Sequence, residues 1–351
     1  MHIFPPTAAC NAQLLGDAES EALFSGQRVL ARLLAYEVAL TRAMADARII
    51  TANDATAICE RIADFAPDHE RLTESSRQDG VVVPELIRQL RKHVGPDLAS
   101  SVHLAVTSQD LIDTSTAQAL SDHARIITAR LDSLLSRFQS CDMMFGDAVI
   151  MGYTRMQKAQ PINFSHRLGE WRETLHPIAA LWPARIREMA ILQFGGPVGD
   201  RSGFDGKLTT VAGSLARALK LHDPGRAWHT NRRVFVDYGT ACASITGSCG
   251  TIGKDIALMA RDGTLHLSGG GASSAMPHKS NPISAEILMT LATYSTALLP
   301  ALHHASMAEQ ERSGSMWSLE WIVLPQLCIL AAKSLSLAES LLKSIESITG
   351  D

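Results

Sequence analysis

Aromatic residues, paired cysteine motifs and long apolar runs are all scarce in this sequence of 351 residues. Aromatic residues make up 5% of the chain and hydrophobic residues 46%, and this balance favours helices over sheets. None of the six cysteines forms a Cys-x-x-Cys pair. We therefore expect reduced, mostly buried thiols in a cytoplasmic protein, not a disulfide framework.

Further absences argue against several classes of protein. The first residues lack a basic region followed by an apolar run, so no secretion signal is expected. No uninterrupted run of eighteen apolar residues occurs, which predicts no membrane span. The net charge of −4 argues against non-specific nucleic-acid binding. No Gly-x4-Gly-Lys-Ser/Thr phosphate loop is present, and an anionic substrate must be held by local cations.

The most informative segment that is present is a glycine-rich loop reading Ser-Gly-Gly-Gly-Ala-Ser-Ser-Ala-Met-Pro-His-Lys-Ser-Asn-Pro. Gly269, Gly270 and Gly271 give it a backbone that can move and approach a ligand closely. Asn281 and Pro282 predict an N-cap followed by the first residue of a helix. Because a helix N-terminus favours anions, this segment combines a lid, hydroxyl groups, a cation and an anion-favouring helix end.

Helical periodicity dominates the rest of the chain, since apolar residues recur at three- and four-residue spacing. Thr107 opens one long helix in the Ser/Thr-x-x-acid pattern, and a second follows Asn163. Pro177 and Pro183 lie in this second helix and predict a kink or a break. The one β-like segment, residues 262–268, could form a small hairpin arm. Small residues between 247 and 253 predict a close contact between helices, because their spacing does not fit a dinucleotide motif.

These patterns predict an all-α fold with two parts. Residues 1–106 would form an N-terminal helical domain, and residues 107–351 a central bundle of long helices that carries the glycine-rich loop. Long helices with wide apolar stripes need partners to bury them. A bundle shared between subunits is therefore expected.

Three separated regions resemble the fumarase/aspartase superfamily, and together the resemblance covers most of the chain. The glycine-rich loop carries the signature Ser-Ser-x-Met-Pro-x-Lys-x-Asn-Pro. A second region, starting at His103, matches His-x-x-x-Thr-Ser-x-Asp. A third, starting at Gly152, matches Gly-x-Thr-x-x-Gln-x-Ala-x-Pro. The resemblance implies a helix bundle at the core of a homotetramer, with each active site built from three subunits.

The resemblance also implies roles for individual residues. Ser273 would be the catalytic acid or base, with Ser274 as the alternative, and Lys279 and Asn281 would bind a carboxylate. The glycines would let the lid close over a small-molecule tricarboxylate substrate. The further substrate-binding predictions are His103, Thr107, Ser108, Gln109, Thr154, Arg155, Gln157 and Arg312.

Alternatives to these roles stay open. The Thr-Ser region could be plain helix capping, Arg155 a structural salt-bridge residue, and Arg312 a surface ion-pair residue. No metal-ligand cluster or dinucleotide fingerprint is visible, so no metal and no cofactor are expected. Members of the superfamily usually add a third helical domain, which is expected to be reduced or absent here because the chain stops at Asp351.

Arg155 is the main departure from the superfamily pattern, because the lyases have a histidine at this position as the candidate acid for the leaving group. Arginine cannot donate a proton near neutral pH as histidine can. A lactone-forming cycloisomerisation needs no such acid, since the leaving group of its reverse reaction is an ionised carboxylate. Bacterial carboxymuconate cycloisomerases of this superfamily also lack the histidine.

The resemblance therefore implies interconversion of 3-carboxy-cis,cis-muconate and 4-carboxymuconolactone in protocatechuate (β-ketoadipate) breakdown. Two alternatives remain: a C–N lyase similar to adenylosuccinate lyase, and a catalytically silent structural relative.

Overall fold

The structure is a computed structural model that describes residues 12–272, 275–276 and 280–349. Ser273, Ser274 and Lys279 lie outside the described residues. The described chain is mainly helical, which confirms the predicted all-α class. The helices are α1 (Ala12–Leu15), α2 (Ala18–Leu23), α3 (Gly26–Asp46), α4 (Ala52–Ala63), α5 (His69–Asp79), α6 (Val83–Val94), α7 (Pro96–Ala99), α8 (Ser108–Phe145), α9 (Phe164–Met189), α10 (Leu208–Leu219), α11 (Arg233–Arg261), α12 (Ile283–Ala305) and α13 (Ser315–Lys343). The strands are β1 (Val149–Thr154), β2 (Gln157–Asn163), β3 (Leu265–Leu267), β4 (Gly271–Ala272), β5 (Ser280–Asn281) and β6 (Ile345–Ile348).

Five long helices, α8, α9, α11, α12 and α13, pack together as the bundle. The predicted apolar stripe of α8 is buried at helical spacing, with Leu120, Ile127, Leu131, Leu134 and Phe138 all in the core. This helix has 38 residues and spans about 57 Å at 1.5 Å per residue. Segments attached to its two ends therefore lie far apart in one chain.

A second core lies beside the bundle. Leu33 and Leu40 of α3 pack there with Leu86 of α6, and Val211 and Leu215 of α10 complete it. Because α10 follows α9 in the chain, a late segment returns to pack with the N-terminal helices. The domain boundary between residues 106 and 107 stays a prediction.

Helices α11 and α12 approach each other at glycines. A Cβ atom at Gly250 would lie 2.5 Å from the Cβ of Ala292, and one at Gly253 would lie 2.7 Å from the carbonyl oxygen of Ala285. No ordinary side chain fits at either position. The small residues between 247 and 253 therefore mark a close helix–helix contact, as predicted.

The strand prediction was wrong in two respects. Strands β1 and β2 form an antiparallel hairpin that the sequence patterns did not predict. Arg155 and Met156 form its two-residue turn, with φ values of 50° and 64°, a turn that normally uses Asn and Gly. The signal was hidden by these turn residues and by Pro161 inside β2. The predicted arm at 262–268 contributes β3, which pairs with the distant β6 and forms no local hairpin.

Two prolines lie inside α9. The helix continues through Pro177 and Pro183, so of the predicted kink or break the break does not occur. Each interior proline costs about 3 kcal/mol, but each large buried side chain contributes roughly 1.5–3 kcal/mol. Trp171, Leu175 and Trp182 are all buried along this helix, so packing outweighs the cost. Pro282 is the N-cap of α12, and Asn281 lies in β5, one position away from the predicted cap.

Two helices of the described chain are long and apolar enough to cross a membrane by length and composition alone. Counting uninterrupted apolar runs missed them, because mean hydropathy tolerates scattered polar residues. In α13, 67% of the apolar window is buried inside the fold, as in the core helix of a bundle. In α12 only 28% is buried, so the described residues leave part of this apolar helix uncovered.

A polar cluster in the bundle core contains His123, Cys242 and Cys328, whose potential ligand atoms lie within 4.8 Å of one another. The hydroxyl of Tyr238 lies 2.7 Å from Nδ1 of His123, and the carbonyl oxygen of Cys328 lies 3.0 Å from its Nε2. Both ring nitrogens are therefore already engaged within the protein. We interpret the cluster as hydrogen-bonded core packing.

This histidine should make stability depend on pH. Burial lowers the pKa of His123 to about 4 from its ordinary value of 6.5. Between these values the unfolded chain binds more protons than the folded chain, so stability is lost as the pH falls. The contribution is about 3 kcal/mol. Denaturant titrations at pH 7 and pH 4 should show a smaller loss in His123→Gln than in wild type, and the exposed His69→Gln should match wild type. Equal losses in all three would contradict this interpretation.

Candidate active site

A cavity of about 460 Å3 opens beside the first turn of α8. Three predicted substrate-binding residues, His103, Thr107 and Ser108, line it together. Arg88 and Arg91 of α6 also line it, and neither is among the predicted site residues. The structure therefore brings the predicted first region to a cavity with cationic walls, which suits a carboxylate.

The start of α8 is fixed by a buried carboxylate. Thr107 and Asp110 form the predicted capping box. Asp110 accepts hydrogen bonds from the backbone N–H of Thr107 and of Gly196, each at 3.0 Å. His229 Nε2 lies 2.8 Å from its other oxygen. Asp110 thus ties the cavity wall to two loops that come from distant parts of the sequence.

Arg312 reaches this same end of the molecule. Its guanidinium donates to the Thr107 hydroxyl and to the carbonyl oxygen of Pro197. The predicted residues Thr107 and Arg312 are therefore in contact. Among the described residues Arg312 forms these hydrogen bonds and no ion pair.

Gln109 has a different environment from its neighbours. Its side chain is buried, and its amide group donates to Asp113 at 3.1 Å and to the carbonyl oxygen of His229 at 2.9 Å. It does not belong to the lining of the cavity. In this arrangement Gln109 connects α8 to the loop before α11, and its predicted contact with substrate stays a prediction.

Beneath Gln109 lies a buried network of three charged side chains. Arg232 donates to Asp113 at 2.6 and 3.1 Å and to Glu320 at 2.5 and 2.9 Å. Trp317 Nε1 donates to Asp113 at 2.9 Å. Burial alone would lower the pKa of Arg232, but Asp113 and Glu320 hold it above its ordinary value. The network fastens α8, α11 and α13 together below the cavity.

The second region lies at the other end of α8, on the β1–β2 hairpin. Thr154, Arg155 and Gln157 are all exposed at its tip. The positive φ of Arg155 is rare outside glycine and asparagine, and such strain often accompanies functional sites. The hairpin follows α8 in the chain and leads into α9.

The described part of that loop is a short β4–β5 ladder in which Gly271 pairs with Asn281. Gly269 and Gly270 have φ values of 72° and 132°, and a Cβ at Gly270 would lie 2.0 Å from the Ser280 hydroxyl. The glycines are therefore required by a tight backbone, whatever their role in lid motion. Gly269, Gly270, Gly271 and Asn281 line a cavity of about 640 Å3.

The predicted site residues thus form two groups. The first, with His103, Thr107, Ser108 and Arg312, lies at the start of α8. The second, with Arg155 and Asn281 among its members, lies near the ends of α8 and α11. Since α8 has 38 residues and spans about 57 Å, the two groups lie far apart in one chain.

Comparison with known proteins identifies the family of this chain. The pattern of the lyase family matches residues 12–294, and the chain belongs to this family, part of the fumarase/aspartase superfamily. It is 30% identical to a 3-carboxy-cis,cis-muconate cycloisomerase of Bradyrhizobium diazoefficiens, over 93% of this chain and 74% of that protein. A Pseudomonas aeruginosa protein of the same name is also 30% identical, over 94% and 73%. The crystal structure of 3-carboxy-cis,cis-muconate lactonizing enzyme from Pseudomonas putida superposes with a TM-score of 0.89, at 30% identity over 95% and 76%.

Proposed function

We propose that this chain interconverts 3-carboxy-cis,cis-muconate and 4-carboxymuconolactone in protocatechuate breakdown, as the names of its relatives suggest. The observation that carries the proposal is Arg155, which stands at the tip of an exposed hairpin where lyases of the superfamily have a histidine. A reaction whose leaving group is a carboxylate does not need that histidine. The relatives' names and the cationic cavity at the start of α8 support the same conclusion.

The chemistry requires one proton transfer and one C–O bond. In the lactonising direction a carboxylate oxygen of the substrate attacks an alkene carbon, and the neighbouring carbon, α to another carboxylate, takes a proton. Ser273 is proposed to supply this proton, and in the reverse direction to remove it. Lys279 and Asn281 would stabilise the enolate-like charge that develops on the adjacent carboxylate.

The direct test is an absorbance assay, because lactonisation removes the conjugated diene of the substrate. We expect turnover of 3-carboxy-cis,cis-muconate and none of adenylosuccinate. Turnover of adenylosuccinate alone would favour the C–N lyase. No turnover of either substrate would favour a catalytically silent relative.

We further infer a soluble cytoplasmic homotetramer whose active sites are shared between subunits. The separation of the two residue groups along α8 supports contributions from more than one chain. The uncovered apolar face of α12 offers a surface for assembly, and so do Leu181 and Ile322, which are 68% and 56% exposed. Burying such side chains between subunits would stabilise each by roughly 1.5–3 kcal/mol.

Shared sites predict that two defective subunits can restore one another. Ser273 belongs to the glycine-rich loop and Arg312 to the first group, so a tetramer mixed randomly from Ser273→Ala and Arg312→Ala chains should have about a quarter of its sites intact. Activity should therefore reappear when the two variants are unfolded, mixed and refolded together. The double variant carrying both changes is the control and should stay inactive after the same treatment. Absence of recovery in proven mixed tetramers would argue against shared sites.

Arg155 gives a second prediction. Arg155→Met should lower kcat/KM by roughly ten- to hundred-fold, the equivalent of a lost charge-assisted hydrogen bond of about 1.5–3 kcal/mol. Arg155→His should also lose activity, because a mostly neutral imidazole replaces a fixed cation. Steady-state kinetics and pH–rate profiles on the carboxymuconate check both variants. A faster histidine variant or an unchanged methionine variant would show that the explanation for the missing histidine is wrong.

A further inference from the structure

The cavity at the start of α8 is lined by an arginine, Arg91, that has no carboxylate partner among the described residues. Arg91 donates one hydrogen bond, from Nη2 to the carbonyl oxygen of Val102 at 3.0 Å. It forms no ion pair within the described parts of the chain. Arg88, three residues earlier on α6, is by contrast paired with the buried carboxylate of Glu85. Of the two arginines, Arg91 is therefore the one that can neutralise an incoming anion.

The histidine in the same cavity is oriented by a carboxylate from the N-terminal core. Glu37 of α3 is fully buried, and its Oε1 lies 2.6 Å from His103 Nδ1. A carboxylate only accepts hydrogen bonds, so Nδ1 carries the ring proton and donates a hydrogen bond to Glu37. Nε2 has no partner among the residues that the structure describes. The ring is 14% exposed, and its residue lines the cavity.

The backbone around this histidine supports a positioning role. His103 has a φ of 62°, and Ala105, two residues later, has a φ of 57°. Neither residue is a glycine, so both conformations cost free energy and must be held by their surroundings. The hydrogen bond from Arg91 to Val102 holds the loop just before His103, and the one between Glu37 and His103 holds the strained residue itself.

We propose that this cavity is a carboxylate subsite, with Arg91 as its charged ligand and with Glu37 positioning the ring of His103 beside it. The inference rests on the proposed function, because it assigns a place to one of the three carboxylates of that substrate. Apolar side chains of Val83, Ile87 and Val106 form the rest of the wall. A charge-assisted hydrogen bond from Arg91 to a carboxylate is stronger than one between neutral groups.

Calorimetric titration of the assembled enzyme tests the role of Arg91 without turnover. The probes are tricarballylate, with three carboxylates, and glutarate, with two. Arg91→Gln should weaken tricarballylate binding by roughly ten- to hundred-fold. It should change glutarate binding less, because two carboxylates can occupy the remaining subsites. Lys92→Gln removes a charge from the next position of α6, outside the cavity lining, and should bind both probes like wild type.

Other titration results would overturn the subsite. They are unchanged tricarballylate binding in Arg91→Gln, an equal loss in Lys92→Gln, or no binding of either probe by wild type. Failure of the proposed function looks different. If wild type does not turn over 3-carboxy-cis,cis-muconate but its tricarballylate binding still depends on Arg91, the subsite stands and the substrate is another tricarboxylate.

The positioning role of Glu37 has a spectroscopic readout. Nitrogen-15 chemical shifts of the His103 ring should place the proton on Nδ1 in wild type. Glu37→Gln keeps an accepting oxygen and should preserve this state, whereas Glu37→Leu removes the acceptor and should shift the proton towards Nε2. A wild-type ring protonated only at Nε2 would overturn the role. The wild-type and Gln spectra decide the matter even if the Leu variant does not fold.

Discussion

Replacing Ser273 with alanine is expected to lower kcat by roughly a hundred- to ten-thousand-fold, the usual cost of losing a general acid or base. Folding should be unaffected, because the segments that flank Ser273 are the short strands β4 and β5, outside the bundle core. Steady-state kinetics on the carboxymuconate and thermal melting of the same samples measure the two effects separately.

Ser274→Ala is the matched control, because it removes the same hydroxyl group from the next residue. It should retain most of the activity. If instead Ser274→Ala were inactive and Ser273→Ala near normal, the acid/base role would belong to Ser274. Loss of the melting transition in Ser273→Ala would show that the hydroxyl has a structural role.

Arg232→Met is expected to reduce the free energy of unfolding by about 3–5 kcal/mol, because it leaves Asp113 and Glu320 buried without their cation. Both carboxylates bind the same guanidinium, so its removal leaves both of them without a cationic partner. Urea-induced unfolding followed by circular dichroism measures the change. A loss of this size is a large part of the stability of an ordinary domain.

Arg233→Met provides the control for this substitution. Arg233 is the next residue, and it is exposed and paired with Asp237 at 2.9 Å on the surface. Exposed pairs contribute about 0–1 kcal/mol, so this variant should unfold close to the wild-type midpoint. Equal destabilisation by the two substitutions would mean that the buried network contributes no more to the free energy of unfolding than the exposed pair does.

The long helices could be predicted because their signals are local. Thr107 and Asp110 lie three residues apart in the sequence, and the apolar stripe of α8 repeats at a fixed spacing. The β1–β2 hairpin could not, because its turn depends on Arg155 and Met156 adopting a conformation that neither favours. The residue types at these two positions do not predict this turn conformation.

The candidate site was predictable only in part, for a similar reason. His103, Thr107 and Ser108 follow one another closely in the sequence and line one cavity. Arg91 joins them only because α6 packs beside the start of α8, a relation that no local pattern records. Glu37 had one usable signal, since an acidic residue within the apolar stripe of α3 must find a buried partner.

The length of α8 has a consequence for how the activity of this protein depends on its concentration. In the proposed shared site, each chain has its two groups of predicted site residues at opposite ends of a long helix, so no single chain would complete a site. Specific activity should then fall on dilution below the dissociation constant of the assembly, while the helical content of each chain changes little. The diluted protein would then be folded but inactive, and association of the chains would restore its activity.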